Sequence, residues 1–295
     1  MGRQLSKYIA GIVILSVWLL PSLYFPLPGE VLAKDADQNF DSLQKRLVKD
    51  GFDNSMVKTL YTQPEVYSDT NGVSLFFLHK EATLNYDQFA TQAAIQKARK
   101  YMENHKVELE AAERSYGVDK KIITAILLVE TQLGTLLGKR SVLNTLSTLA
   151  ALAEASSRDR LWTAVPKANR PKRKDFVRWS KEKSRWAYSE LKAFLEYTNR
   201  EEIDPAGVAG SYAGALGIAQ FMPTSILGYA KDGNGDGNVN LFDHADAIAS
   251  VASYLKRNGW HPNIKAKSAH KVIYRYNHSN YYVDIILKIS ELLKG

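Results

Sequence analysis

The feature that most constrains the fold is one helix with apolar residues on nearly all sides. In the stretch GVDKKIITAILLVETQLG, Asp119 is predicted to be the N-cap, and isoleucine, leucine and valine follow at helical spacing from Ile122. A helix that is apolar all round must be covered by other elements, so we expect it to lie inside the protein. The alternation typical of strands hardly appears in the chain, and the predicted fold is therefore mainly α-helical.

This predicted interior helix carries one carboxylate, Glu130. Its neighbours one turn away are Ile126, Leu127 and Leu133. A glutamate in water titrates near about 4.3. Burial among apolar side chains is expected to raise that pKa, which is what a general acid at neutral pH needs. Taken alone, Glu130 is better explained as a buried acid paired with a lysine or a backbone group.

The composition excludes several kinds of site. The chain has 295 residues, enough for a sizeable core in one or two domains, and it contains no cysteine. Disulfides, thiolate metal sites, a cysteine nucleophile and a lipoprotein anchor are therefore excluded. The sequence offers no signal for an organic cofactor.

The first 33 residues are predicted to be a signal peptide. Arg3 and Lys7 precede the apolar run IAGIVILSVWLL, which is short for a membrane span and is soon interrupted by prolines. Small or modest residues at Val31-Leu32-Ala33 suit a signal peptidase, with cleavage after Ala33. The alternative is an uncleaved N-terminal anchor.

The charge distribution points to an anionic partner. The net charge is +8, which suits a cell-wall polymer or a membrane surface, whereas nucleic acid is disfavoured by the export signal. Lysine and arginine are dense in segment 158–185, and tryptophans are interleaved there. The segment is interpreted either as a solvated face anchored by its tryptophans or as a basic aromatic platform for an anionic glycan.

Several further helices are predicted from apolar spacing. The segment 34–106 is predicted to be an N-terminal helical region that packs on the core, with its first helix ending at Gly51. A single long helix is predicted from Tyr86 to Gly117, and an amphipathic helix from Ser184 to near Asp204.

The stretch AGSYAGALGIAQFMPTS, residues 209–225, is rich in small residues. Glycines at 210, 214 and 217 allow backbones to approach closely, and the lysine and serine or threonine of a phosphate loop are missing. We therefore expect the stretch to form the floor of a groove. Gln220 is predicted to hydrogen-bond either a sugar or the backbone of a turn.

The stretch DGNGDGNVNLFD resembles a calcium loop. Oxygen-bearing side chains alternate and a glycine follows, in the order Asp232, Asn234, Asp236, Gly237. Asn238 is expected to offer its backbone carbonyl. Counting twelve residues makes Asp243 the last ligand, while Asp246 lies one helical turn further on. The alternative is an Asx- and glycine-rich turn without an ion.

Four motifs in order resemble the membrane-bound lytic murein transglycosylase B family. They are YGVDKKIITAILLVETQLG, GSYAGALGIAQFMPTS, DGNGDGNVNLFDHADAIASVASYL and YRYNHSNYYV, within a similarity that runs from about Phe40 to Ile289. The resemblance implies a lysozyme-like, α-helical catalytic core, expected over 107–295, and the predicted signal peptide indicates a periplasmic location. The resemblance also implies cleavage of the MurNAc–GlcNAc β-1,4 bond of peptidoglycan without water, which leaves a 1,6-anhydro-MurNAc end.

The resemblance also implies roles for individual residues. The E-T-x-x-G motif makes Glu130 the catalytic acid. Five residues match positions that contact substrate: Ser211, Gln220, Tyr254, Asn277 and Tyr282. The implied calcium ligands in the loop 232–246 are Asp232, Asn234, Asp236, the carbonyl of Asn238, and Asp246. The link from Trp260 to Tyr274 is shorter than in some family members, so any lobe built from that insertion is expected to be reduced here.

One carboxylate suffices for cleavage if the substrate supplies the nucleophile, and the sequence shows no obvious second acid beside the motifs. The alternatives are a hydrolytic muramidase, a non-catalytic wall-binding protein and, more remotely, a calcium sensor. The expected partners are peptidoglycan strands and proteins of cell-wall synthesis or division, and the protein is expected to be a monomer.

Overall fold

The computed structural model of the protein describes residues 33–78 and 85–294. The predicted signal peptide lies outside the described residues, apart from Ala33. Within these two ranges, every helix is too short or too polar to cross a bilayer.

The described residues form a helical protein with one very small sheet. The helices are α1 (Ala33–Lys49), α2 (Asn54–Tyr61), α3 (Thr70–Ser74), α4 (Gln92–Asn104), α5 (Lys106–Tyr116), α6 (Lys120–Thr131), α7 (Val142–Ala150), α8 (Ala155–Ala164), α9 (Arg173–Arg200), α10 (Pro223–Tyr229), α11 (His244–Arg257), α12 (Ala266–Tyr276) and α13 (Asn280–Leu292). Short 3-10 turns include Leu75–Phe77 and Tyr86–Ala90. The predicted mainly α-helical fold is confirmed.

Helix α6 occupies the centre of the fold. Every residue from Ile122 to Thr131 is buried, and helices α4, α5, α11 and α13 pack around it. Its start is fixed by Asp119, whose Oδ1 accepts a hydrogen bond from the backbone N–H of Lys121 at 2.8 Å. The predicted interior position and the predicted N-cap are both confirmed.

The N-terminal helices share the hydrophobic core of the rest of the protein. Phe40, Leu43 and Leu47 of α1 are buried in the same cluster that contains α6. A buried hydrogen bond of 2.7 Å between the Tyr61 hydroxyl and Ser147 Oγ joins α2 to α7. The boundary at residue 106 stays a prediction.

The single long helix predicted from Tyr86 to Gly117 is wrong. A 3-10 turn ends before Thr91, which caps α4 by accepting a hydrogen bond from the N–H of Ala94 at 3.3 Å. His105, with φ −112° and ψ 34°, then interrupts the helix between α4 and α5. Apolar spacing continues across this break because both helices face the same core. The predicted end at Gly117, with φ +67°, is confirmed.

Helix α9 begins eleven residues earlier than predicted, at Arg173. Phe176 and Ser180 are fully buried, so the first turns of α9 have their own packing partners despite a basic sequence. The tryptophans of the basic segment 158–185 contact aromatic neighbours: Trp162 lies 4.9 Å from Phe176, and Trp179 lies 4.5 Å from Phe77, between ring centres.

A two-stranded antiparallel sheet fixes the start of the glycine-rich stretch. Strand β1 (Arg140–Ser141) pairs with β2 (Ala209–Gly210). The predicted close approach of backbones is confirmed at Gly217, whose φ is +75°: a Cβ there would lie 2.5 Å from the Leu241 Cβ. The segment 209–222, called the glycine-rich loop below, is thus held by the sheet at its start and by the close contact with Leu241 at Gly217.

Candidate active site

Glu130 lies in the last turn of α6 with its carboxyl group almost completely buried. Its exposed fraction is 1%. Oε1 accepts a hydrogen bond of 2.6 Å from the Tyr282 hydroxyl, whereas Oε2 is buried and has no hydrogen-bond partner among the described residues. Burial raises the pKa of Glu130 to about 8, and the Tyr282 hydrogen bond lowers it in part. The carboxyl group is therefore mostly protonated at neutral pH.

Tyr282 reaches Glu130 because α13 packs on α6. Ser279 caps α13, and its Oγ accepts a hydrogen bond from the backbone N–H of Tyr282 at 3.2 Å. This places Tyr282 in the first turn of the helix, with its side chain buried. The contact joins two residues that are 152 positions apart in the chain.

Tyr276 supports this pair, although the sequence analysis did not single it out. Its ring stacks on that of Tyr282 with 6.3 Å between centres and 6° between planes. Its hydroxyl donates a hydrogen bond of 2.6 Å to the carbonyl of Ala219 in the glycine-rich loop. The signal that was available is its position immediately before Asn277 in the motif YRYN.

Tyr254 is connected to Glu130 through these two tyrosines. Its ring centre is 5.0 Å from that of Tyr276, and its hydroxyl donates to the backbone carbonyl of Arg275 at 2.7 Å. Both rings line a cavity of about 70 Å³. Its lining residues are Phe221, Met222, Ser225, Tyr254, Arg275, Tyr276 and His278. Glu130 is not among them and is linked to Tyr276 through the ring of Tyr282.

Ser211 and Gln220 hold the glycine-rich loop in shape. Ser211 Oγ accepts hydrogen bonds from the N–H groups of Ala213 and Ala215 at 3.2 and 3.0 Å. Gln220 has φ +48°, and its Nε2 donates to the carbonyls of Gly217 and Leu137 at 2.9 and 3.3 Å. Of the two interpretations of Gln220, the turn contact is the one present in this structure.

The threonine that follows Glu130, Thr131, has a structural role. Its Oγ1 donates to the carbonyl of Ile218 at 2.8 Å and accepts from the N–H of Gly134 at 2.9 Å. Thr131 thereby ties the end of α6 to the glycine-rich loop.

Asn277 is fully buried at the end of α12, three residues before α13 begins. The predicted substrate-contacting residues thus lie on the glycine-rich loop, on α11, at the end of α12 and at the start of α13, and Tyr282 is hydrogen-bonded to Glu130.

The carboxylates and amides of the predicted calcium loop organise its backbone. Asp232 accepts from the N–H groups of Gly235 and Gly237 at 2.6 and 2.9 Å, and Asp236 Oδ1 accepts from the N–H of Asn238 at 2.8 Å. Asn234 Oδ1 accepts from the N–H of Asp236 at 2.9 Å. These hydrogen bonds place the side-chain oxygen atoms on the inside of a short, tight turn that is exposed to solvent.

The two candidates for the last ligand have different environments. Asp246 is fully buried, and its two oxygens accept from the N–H groups of Gly233 and Asn240 at 2.8 and 2.7 Å, at opposite ends of the loop. Asp243 caps α11 by accepting from the N–H of Ala245 at 2.8 Å. An ionised carboxylate offers about four lone-pair sites, so these bonds leave Asp232 and Asp246 with capacity for a cation. The oxygen-only donor set fits Ca²⁺ chemically. Within the described residues, no cluster of three or more acidic, histidine or cysteine side chains forms a ready metal centre.

Comparison with models of known protein families shows to which family the chain belongs. A model of the transglycosylase SLT domain matches residues 35–269, which is most of the chain. The protein belongs to the transglycosylase SLT domain family. The resemblance predicted from the four motifs is thereby confirmed.

Relatives and solved structures place this SLT-domain protein more closely. It is 35% identical over 173 residues to membrane-bound lytic murein transglycosylase B of Escherichia coli (strain K12), a match covering 59% of this chain and 40% of that relative. The match thus spans less than half of the relative's length.

The fold matches soluble lytic transglycosylase SltB1 of Pseudomonas aeruginosa with a TM-score of 0.70 at 24% identity, covering 87% of this chain and 98% of SltB1. An Escherichia coli lytic transglycosylase solved in complex with calcium gives a TM-score of 0.68 at 25% identity over 88% of this chain and 92% of that one. SltB3 of Pseudomonas aeruginosa, solved with NAG-anhNAM-pentapeptide, gives 0.70 at 19% identity, covering 88% and 79%. The SLT-domain protein thus has the lysozyme-like fold of lytic transglycosylases.

Proposed function

We propose that this protein is a lytic transglycosylase that cleaves the MurNAc-β-1,4-GlcNAc bond of peptidoglycan and forms 1,6-anhydro-MurNAc. The observation that carries the proposal is Glu130, a buried carboxyl with a pKa of about 8 and an unpartnered Oε2. Membership of the SLT-domain family supports it, as do the names of the relatives.

In the first step, Glu130 protonates the glycosidic oxygen of the scissile bond. Oε2 is the oxygen suited to carry the proton, because Oε1 already accepts a hydrogen bond from Tyr282. As the bond to the leaving GlcNAc breaks, positive charge develops at C1 of MurNAc, and the N-acetyl group of the sugar helps to stabilise it.

In the second step, the same carboxylate acts as a base. Once Glu130 has given up its proton, it accepts the proton of the C6 hydroxyl while that oxygen closes onto C1. The products are a GlcNAc end and an anhydro end, and no water is consumed. Burial raises the pKa of Glu130, and the hydrogen bond from Tyr282 lowers it in part. Glu130 serves as acid and then as base, so the proposed mechanism needs one carboxylate.

The 1% exposure of Glu130 sets a requirement on substrate binding. A carboxyl that is this deeply buried cannot touch a glycosidic oxygen until the side chains that cover it move. The cavity lined by Tyr254 and Tyr276 is connected to Glu130 through the ring of Tyr282, which stacks on Tyr276. We propose that the glycan enters there, with Ser211, Gln220 and Asn277 contacting it after this adjustment.

We further propose that Asp232, Asn234, Asp236, the Asn238 carbonyl and Asp246 bind a structural Ca²⁺. The oxygen donors of the loop support this, and so does the calcium complex of the related Escherichia coli enzyme. The ion would fix the loop between α10 and α11 and has no role in bond cleavage.

The protein is proposed to act in the periplasm after export by the N-terminal segment. The name of the Escherichia coli relative, a membrane-bound enzyme, supports a location at the cell envelope.

Product analysis of digested murein tests the proposed reaction. Purified sacculi treated with the wild-type protein should release muropeptides with anhydro ends, and Glu130→Gln should release none. A hydrolytic muramidase would release products heavier by about 18 mass units, the mass of one water. Release of muropeptides by Glu130→Gln would contradict both enzymatic proposals.

A further inference from the structure

Lys183 of α9 is a partly buried lysine flanked by two aromatic rings, and among the described residues no carboxylate pairs with it. Its Nζ lies 4.4 Å from the centre of the Trp186 ring and 5.1 Å from that of Phe76. Trp186 is on the same helix, whereas Phe76 comes from the 3-10 turn after α3. None of the ion pairs formed in ranges 33–78 and 85–294 involves this side chain.

Such an environment is unfavourable for a cation in the free protein. Burial lowers the pKa of Lys183 to about 8, because the charged form loses hydration. The two ring faces attract the ammonium but offer no oxygen lone pairs to its N–H groups. An anionic oxygen from a ligand would supply the missing charge-assisted hydrogen bonds. An anion would therefore complete the hydrogen bonding of this partly buried ammonium.

Lys183 is connected to the glycine-rich loop that approaches Glu130. The Phe76 ring, which covers Lys183, makes an edge contact with Tyr212 at 5.1 Å between centres. Tyr212 directly follows Ser211, and the same loop continues to Ala219, which contacts Tyr276 beside Glu130. Lys183 thus lies beyond one end of the loop, and the proposed acid lies at the other.

We propose that Lys183 binds a carboxylate of the peptide stem carried by the MurNAc residues of the substrate, and thereby selects stem-bearing glycan. The inference rests on the proposed function. In intact murein, the stem supplies the carboxylates, whereas the sugars are neutral. Phe76 and Trp186 hold the ammonium in place, so Lys183 is a specificity residue and takes no part in bond cleavage.

Equilibrium binding of soluble murein fragments tests the inference separately from catalysis. All variants carry Glu130→Gln, so that fragments are bound but not cleaved. Each is titrated with stem-bearing fragments and with the same fragments after their stem carboxylates have been converted to amides. Lys183→Met should weaken binding of the stem-bearing fragments about tenfold, the size expected for loss of one charge-assisted hydrogen bond. Binding of the amidated fragments should not change.

Two controls make the result specific. Lys183→Arg keeps the charge and should retain binding, and Lys181→Met removes an exposed charge of the same helix and should have no effect. If Lys183→Met weakens both kinds of fragment equally, or neither, the inference is wrong. Absence of anhydro products from the wild-type protein would instead contradict the proposed reaction, without altering the meaning of the binding result.

Discussion

The buried carboxyl of Glu130 should make the protein less stable at neutral pH than it would be with a neutral residue at this position. The pKa of Glu130 is raised from 4.5 to about 8 on folding, because the folded state disfavours the anion. Stability from the neutral carboxyl is therefore fully present below pH 4.5, declines as pH rises, and is lost above about pH 8. Integrated over this range, the loss is roughly 3 kcal/mol at pH 7 and roughly 5 kcal/mol above pH 9.

Glu130→Gln removes the titration and preserves the shape of the side chain. The amide oxygen can still accept the Tyr282 hydrogen bond, so the variant should match the wild type in stability near pH 4. At pH 7 it should be more stable by up to about 3 kcal/mol, equivalent to roughly 6 to 12 °C in Tm for a chain of this size. The same substitution should abolish formation of anhydro products.

Urea unfolding at pH 4, 7 and 9 measures the effect. Glu103→Gln, which removes an exposed carboxylate of α4, is the matched control and should show no such pH-dependent gain. The reasoning is refuted if the difference between Glu130→Gln and wild type is independent of pH, or if the variant is the less stable protein at pH 9.

Three further predictions concern the Tyr282 hydrogen bond, the close contact at Gly217 and the proposed calcium site. Tyr282→Phe removes a hydrogen bond that lowers the pKa of Glu130, so the alkaline limb of the pH–rate profile should move to higher pH while the rate falls; an unmoved limb would contradict this role. Gly217→Ala should lower the free energy of unfolding in urea by more than about 2 kcal/mol, because a Cβ at φ +75° meets Leu241 at 2.5 Å. Gly51→Ala, where φ is +103° and the space is open, is the control and should lower it by only about 1 kcal/mol. Equal losses in the two variants would argue against the steric cause. Calcium at a hundredfold excess over its Kd should stabilise the protein by about 2.7 kcal/mol and hardly alter the rate at saturating substrate, and Asp232→Ala should remove the gain; an identical melting curve in EGTA would exclude the ion.

The outcome for the helices separates local signals from packing. Asp119 and Gly117 mark real helix ends because a cap acts on its own neighbouring backbone groups, which the sequence specifies directly. The break at His105 carried no comparable signal. It arises where α4 and α5 change direction to pack on the same core, and apolar spacing cannot distinguish this from one straight helix.

The proposed site likewise combines features that follow from the sequence with features that depend on packing. The sequence by itself determined that Glu130 would lie on a helix buried on all sides, since the apolar pattern leaves no solvated face for it. It also determined where small residues would let the glycine-rich loop approach the core, because glycine alone tolerates such contacts.

Only the tertiary structure decided which groups meet that carboxyl. The Tyr282 hydroxyl, the supporting ring of Tyr276 and the aromatic enclosure of Lys183 depend on helices that are distant in sequence and are brought together by packing. Hydrogen bonding acts over a few ångströms, so the Tyr282 contribution to the pKa of Glu130 follows from that packing, whereas the rise caused by burial was already indicated by the apolar neighbours in the chain.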